Sequence, residues 1–125
     1  MTAGPRQAYS DVVLTVPVTV PYQRYSIEAA HWWFGAALRQ LSKASGISHK
    51  DMDGLCAASF SLAPDSAVAL TQHLGMSVRW LDTVPLGGAS AVASIRRAAR
   101  AVESGDADVV AQRPGSCRSA FPLFL

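Results

Sequence analysis

Charge, cysteine and long apolar runs are all scarce in this chain of 125 residues. Only 16% of the residues are charged while 50% are hydrophobic, a balance that excludes intrinsic disorder and implies one small packed domain. Cys56 and Cys117 stand far apart, so neither a CxxC motif nor a disulfide framework is present, and a reducing, cytoplasmic location is expected. No apolar run reaches the ~18 residues that cross a bilayer. Val12 to Val20 comes nearest, and Pro17 interrupts it. Met1 to Ser10 lacks the apolar segment of a signal peptide and is expected to be a loose arm. There is no internal repeat and no low-complexity tract. His31, His49 and His73 are scattered, without the spacing of metal ligands, so no metal is expected. The net charge of +2 comes from Arg113 and Arg118, beyond the last acidic residue, which argues against a nucleic-acid partner.

What is present is an alternation of strand-like and helix-like segments. Asp11–Val18 is rich in β-branched residues and predicts a strand, with Pro17 marking a break or edge. Ser26 then caps a helix to Ser45, whose buried face carries Ile27, Ala30, Phe34, Ala37, Leu38 and Leu41, and Gly46 ends it. His31-Trp32-Trp33 on its first turns is either an aromatic platform for a planar ligand or, as aromatics at helical spacing usually are, core and subunit contact. Ser48 to Asp51 forms a single turn, Asp53–Phe60 a strand, and Asp65–Leu74 a helix capped by Asp65 and ended by Gly75.

The most informative stretch is Leu81 to Val110. Leu81 to Leu86 is short and mostly apolar, as a buried strand is, and overlaps a predicted strand over 78–84. Gly87-Gly88 removes every Cβ where the backbone must turn. From Ala89 the period becomes helical through Val92, Ala93, Ala99 and Val102, until Ser104-Gly105-Asp106 stops it and Ala107–Ala111 returns as a strand. A helix between parallel strands is a crossover whose first turn lies at the carboxyl edge of the sheet, where ligands of open α/β folds bind. The candidate binding floor is therefore Gly87, Gly88, Ala89 and Ser90. The predicted fold is α/β, a mostly parallel sheet in β-α-β-α-β-α-β order.

This series, with Gly105-Asp-Ala-Asp-Val-Val110 as its most specific piece, resembles the N-terminal half of a thiolase, nearest to thiolase-like proteins of the sterol-carrier type. The resemblance covers residues 11–111, leaving 1–10 as an arm and 112–125 as a tail outside it. It implies an incomplete copy of that half, and hence a truncated or frame-shifted product. It also implies acyl transfer between acyl-CoA thioesters of the acetyl-CoA acetyltransferase type, in lipid metabolism, with acyl-CoA as substrate and no covalently bound cofactor. A dimer or tetramer would be expected. The family's nucleophilic cysteine opens the helix; counted back from Gly105 without a gap, its position here is Gly88. The implied transferase therefore lacks its nucleophile and is expected to be inactive alone. Some cysteine-less relatives act as aldolases on CoA thioesters with a small OB-fold partner, which is the alternative reading, beside a non-catalytic interaction remnant.

Other candidate groups have plainer roles. Ser90 is the nearest hydroxyl to the turn, but a serine at a helix start is usually a cap and no base is identified beside it. Cys56, in mid-strand, is expected to be buried and inert rather than a displaced nucleophile. Arg96, Arg97 and Arg100 could attract phosphates, yet without interleaved aromatics they read as a solvated or subunit-facing stripe. Gly87-Gly88 lacks the third glycine of a dinucleotide fingerprint.

Overall fold

The computed structural model describes Tyr9 and residues 11–15, 17–21, 25, 27–58, 66–113 and 123–124. Its elements are α1 (Ala30–Ser45), β1 (Gly54–Ala57), α2 (Ala67–Leu74), β2 (Trp80–Thr83), a 3-10 turn (Gly87–Ala89), α3 (Ser90–Ser104), β3 (Val110–Arg113) and β4 (Leu123–Phe124). The sheet runs in the order β2-β1-β3-β4. β1 is parallel to both neighbours, with Leu55 opposite Leu81 on one side and Ala111 on the other. β4 lies antiparallel to β3 at the edge.

The fold is α/β with a parallel centre, as expected, but among the described residues the first predicted strand is not formed. Among the described residues of the predicted Asp11–Val18 strand, from which Val16 is excluded, Leu14 and Val18 form single bridges rather than a strand. Proline at 17 supplies no ladder donor, and although Val18 is buried in one core cluster and Val12 packs against the other, Val13 and Leu14 are exposed. β3 begins three residues later than expected and continues through Gln112 and Arg113, beyond the boundary set at Ala111. β4 lies in the tail outside the resemblance and takes the edge of the sheet, a position that a neighbouring proline permits. α1 starts at Ala30, with no side-chain cap at Ala29; the predicted cap Ser26 lies outside the described residues. Asp65, the other predicted cap, also lies outside them, and Ser66 caps α2 by accepting from the Ala69 N–H at 3.2 Å.

Both faces of the parallel sheet are covered. On one, Phe34, Ala37 and Leu41 of α1 and Leu70 of α2 pack with Leu55, Ala57 and Ala111. On the other, Ala98 and Ala99 of α3 pack with Cys56, Val84 and Val110. Small residues along α3 bring its backbone close to the sheet. Gly54 does the same for β1: a Cβ there would lie 2.7 Å from Val110 Cγ2.

Asp53 anchors the amino ends of the three parallel strands. Its carboxylate accepts from the N–H groups of Asp108 (2.9 and 3.0 Å) and Val109 (2.8 Å), and from the Arg79 guanidinium at 2.7 and 3.0 Å. Its own carbonyl accepts from the Arg79 and Trp80 N–H groups. One side chain thus joins the entries to β1, β2 and β3.

Candidate functional site at the glycine turn

β2 delivers the chain to the turn. Val84 continues the ladder by donating its N–H to the Ala57 carbonyl at 3.0 Å, and its side chain is fully buried. Pro85 and Leu86 then emerge to the surface. Gly87 adopts φ +62, a conformation that side chains rarely take, which explains glycine there. Gly88 has another property: its φ is not in that region, and a Cβ would meet nothing within 4 Å. The turn at Gly88 is open space beside bare backbone.

Ser90 does not present its hydroxyl to that space. It is 3% exposed, and its Oγ accepts from the Leu86 N–H at 2.9 Å. The hydroxyl ties the incoming loop to the first turn of α3 rather than capping the helix. What the turn offers to a ligand is backbone: the N–H groups at a helix start, which have no carbonyl four residues earlier within the helix.

Cys56 stands on β1, opposite Asp82 and Gln112 in register. It is fully buried; burial, together with the Asp82 carboxylate, pushes its thiol up to about 12 despite the opposing Arg97 charge. It is therefore a neutral thiol at ordinary pH and a poor nucleophile. Cys117 lies outside the described residues.

The arginine stripe on α3 is partly engaged within the chain. Arg97 pairs with Asp82 at 3.1 Å, and Arg100 donates to the Tyr9 hydroxyl at 3.3 Å. Hydrogen bonds from Arg100 and Arg96 lower the Tyr9 pKa. Trp32 and Trp33 meet edge to face with centroids 4.9 Å apart, and Trp32 is 41% exposed.

The structure brings together two groups that sequence spacing kept apart. The rings of His31 and His73 meet edge to face at 4.4 Å, because α1 and α2 share one sheet face. Among the described residues no three His, Cys, Asp or Glu side chains gather in a metal-binding group. Ser94 and Gln112, both fully buried, form a hydrogen-bonded pair between α3 and β3, with Gln112 Nε2 donating to Ser94 Oγ. The only sequence signal for that pair is a glutamine ending an apolar run.

The chain thus belongs, by architecture, with three-layer α/β proteins whose crossover helix opens on a glycine turn at the carboxyl edge of the sheet. No protein-family model and no curated protein matches it. A solved structure described as "Ltp2-ChsH2(DUF35) aldolase" matches 85% of this chain with a TM-score of 0.73 and 20% sequence identity. The chain spans 28% of the length of that matched chain.

This finding corrects the reading drawn from the thiolase resemblance. The matched structure is named for an aldolase with a DUF35 component, not for a thiolase, so assignment to the thiolase superfamily is withdrawn. The acyltransferase and lipid-metabolism descriptions go with it. The chemistry agrees, since acyl transfer of that kind needs a thiolate at the turn. Gly88 has no side chain, and Cys56 is buried with its proton held. No helix among the described residues is long and apolar enough to cross a membrane.

Proposed function

We propose that this chain is an aldolase-type subunit, cleaving or forming a carbon–carbon bond in a coenzyme A thioester together with an OB-fold partner chain. The observation that carries the reading is the likeness to a solved aldolase over 85% of the chain. The bare-backbone turn supports it, because a retro-aldol step needs no covalent nucleophile. In that step a base takes the proton of the β-hydroxyl group, and the bond between the α and β carbons breaks. A carbonyl compound leaves, and the electron pair passes into the thioester as an enolate, which then takes a proton at the α carbon. This chain's part is to hold the thioester oxygen on the N–H groups of Gly87, Gly88 and Ala89, where charge develops. One such donor contributes about 3–4 kcal/mol to a transition state. Such donors stabilise the developing charge but take no proton, and the Ser90 hydroxyl beside them is buried and bonded to the Leu86 N–H, so the base belongs to other parts of the assembly.

The test is a titration of the isotope-labelled chain with a β-hydroxyacyl-CoA, followed by amide NMR, and a turnover assay with a DUF35-type partner. The Gly87–Ser90 amides should shift on binding, and turnover should release a carbonyl compound and a shortened acyl-CoA in equal amounts. Release of free CoA without carbon–carbon cleavage, or silence of those amides, would rule the reading out.

A further inference from the structure

On the sheet face opposite α3, a cavity of about 370 Å³ opens between α1 and α2. That size suits a small organic ligand. Leu38 and Leu74 give it apolar walls, while Arg39, Ser42, His49 and His73 supply its polar lining. No aspartate or glutamate is among the described lining residues.

Three features mark this cavity as more than a packing gap. Arg39 makes no ion pair among the described residues, whereas Arg79 and Arg97 both do. Its guanidinium lies over Gly35, where a Cβ would come 3.5 Å from Arg39 Nη1 and 3.6 Å from Leu74 Cδ2. The charge is thus folded against the cavity wall at ordinary van der Waals range. The Ser42 Oγ, finally, is buried without a hydrogen-bond partner among the described residues. A helical serine ordinarily satisfies its hydroxyl on the carbonyl a turn earlier, as Ser45 does with Leu41 at 2.7 Å, and a buried hydroxyl left unpaired is costly.

The donors have one common complement. A guanidinium fork, two imidazoles and a hydroxyl can together offer more hydrogen bonds than a carboxylate's two oxygens readily accept. A phosphate monoester presents three strong acceptor oxygens and close to two negative charges. We propose that the α1–α2 cavity is a binding site for a small phosphate monoester with an apolar body: the phosphate is held by Arg39, His49, His73 and the Ser42 hydroxyl, and the body lies between Leu38 and Leu74. The site is formed by a different sheet face from the glycine turn, so it stands or falls independently of the aldolase reading.

The experiment follows the His49 and His73 ring protons of the 125-residue chain by NMR at fixed pH, during titration with phenyl phosphate, inorganic phosphate and benzyl alcohol. Phenyl phosphate should shift both rings saturably and bind at least tenfold more tightly than inorganic phosphate. Benzyl alcohol should not saturate the site. Arg39→Met should weaken phenyl phosphate at least tenfold, Arg39→Lys less, and Ser42→Ala several-fold, each variant keeping the parent circular dichroism spectrum. The Gly87–Ser90 amides should stay still. Unmoved histidine rings, equal affinity for benzyl alcohol, or an Arg39→Met variant that binds as the parent does would each overturn the proposal.

Discussion

Replacing Asp53 should cost more stability than any ion-pair partner it has. The carboxylate is 20% exposed on its side chain and accepts two backbone N–H groups as well as Arg79. Backbone bonds to a charged acceptor contribute about 1.5–3 kcal/mol each, and the partly open position of these two favours the lower end. Arg79 is 55% exposed, so its pair with Asp53 is worth less than about 1 kcal/mol in water. Asp53→Ala should therefore destabilise by about 3 kcal/mol, and Arg79→Ala by less than about 1 kcal/mol. For a chain of this size that corresponds to a fall in Tm of about 10 °C against a few degrees.

Acid should expose the same residue. Desolvation raises the Asp53 pKa, but the Val109 and Asp108 N–H groups and Arg79 together outweigh it, leaving the carboxyl below its ordinary value. A depressed folded pKa gives stability that is complete above the unfolded value of about 3.9. It is lost as the pH falls through the folded value. Asp53→Asn should remove that part of the acid slope. Urea unfolding monitored by circular dichroism at pH 7 and at steps below pH 4 measures both effects. An Arg79→Ala variant as destabilised as Asp53→Ala, or an unchanged acid slope in Asp53→Asn, would refute the strand-clamp reasoning.

Two further outcomes test the packing. Gly54→Ala should destabilise by about 1–3 kcal/mol in the same unfolding assay, since its Cβ would press on the stiff, branched Val110 side chain 2.7 Å away; a neutral result would mean that β1 and β3 have slack. In a Cys117→Ser background, Cys56 should stay unlabelled by a thiol reagent at pH 8 and react only on unfolding, because its thiol is buried and pushed up to about 12; rapid labelling of the folded chain would contradict its burial.

The amino-acid sequence by itself determined the alternation of helix and strand from Ala30 onward, the parallel centre of the sheet and the place of the glycine turn. Those features rest on local rules. Apolar periodicity separates helix from strand, Gly46, Gly75 and Gly105 stop helices in the left-handed conformation, and Gly87 turns the chain. The inertness of Cys56 was legible for the same reason, since a mid-strand cysteine between covered faces has no water.

Tertiary structure decided what depends on partners distant along the chain. Asp11–Val18 has a strand's composition and sends Val18 into the core, yet Pro17 offers no ladder N–H, and its described residues form only single bridges at Leu14 and Val18. Leu123–Phe124 has little strand signal, yet β3 offers it an open edge. Ser90 suggested a cap or nucleophile from its position, but only the path of the loop shows its hydroxyl accepting from Leu86. The α1–α2 cavity was invisible in the same way. Arg39, Ser42, His49 and His73 share no motif, and they line one space because α1 and α2 pack on the same sheet face. Secondary structure follows from interactions within a few residues, whereas a pocket depends on which distant residues the packed chain brings to one wall.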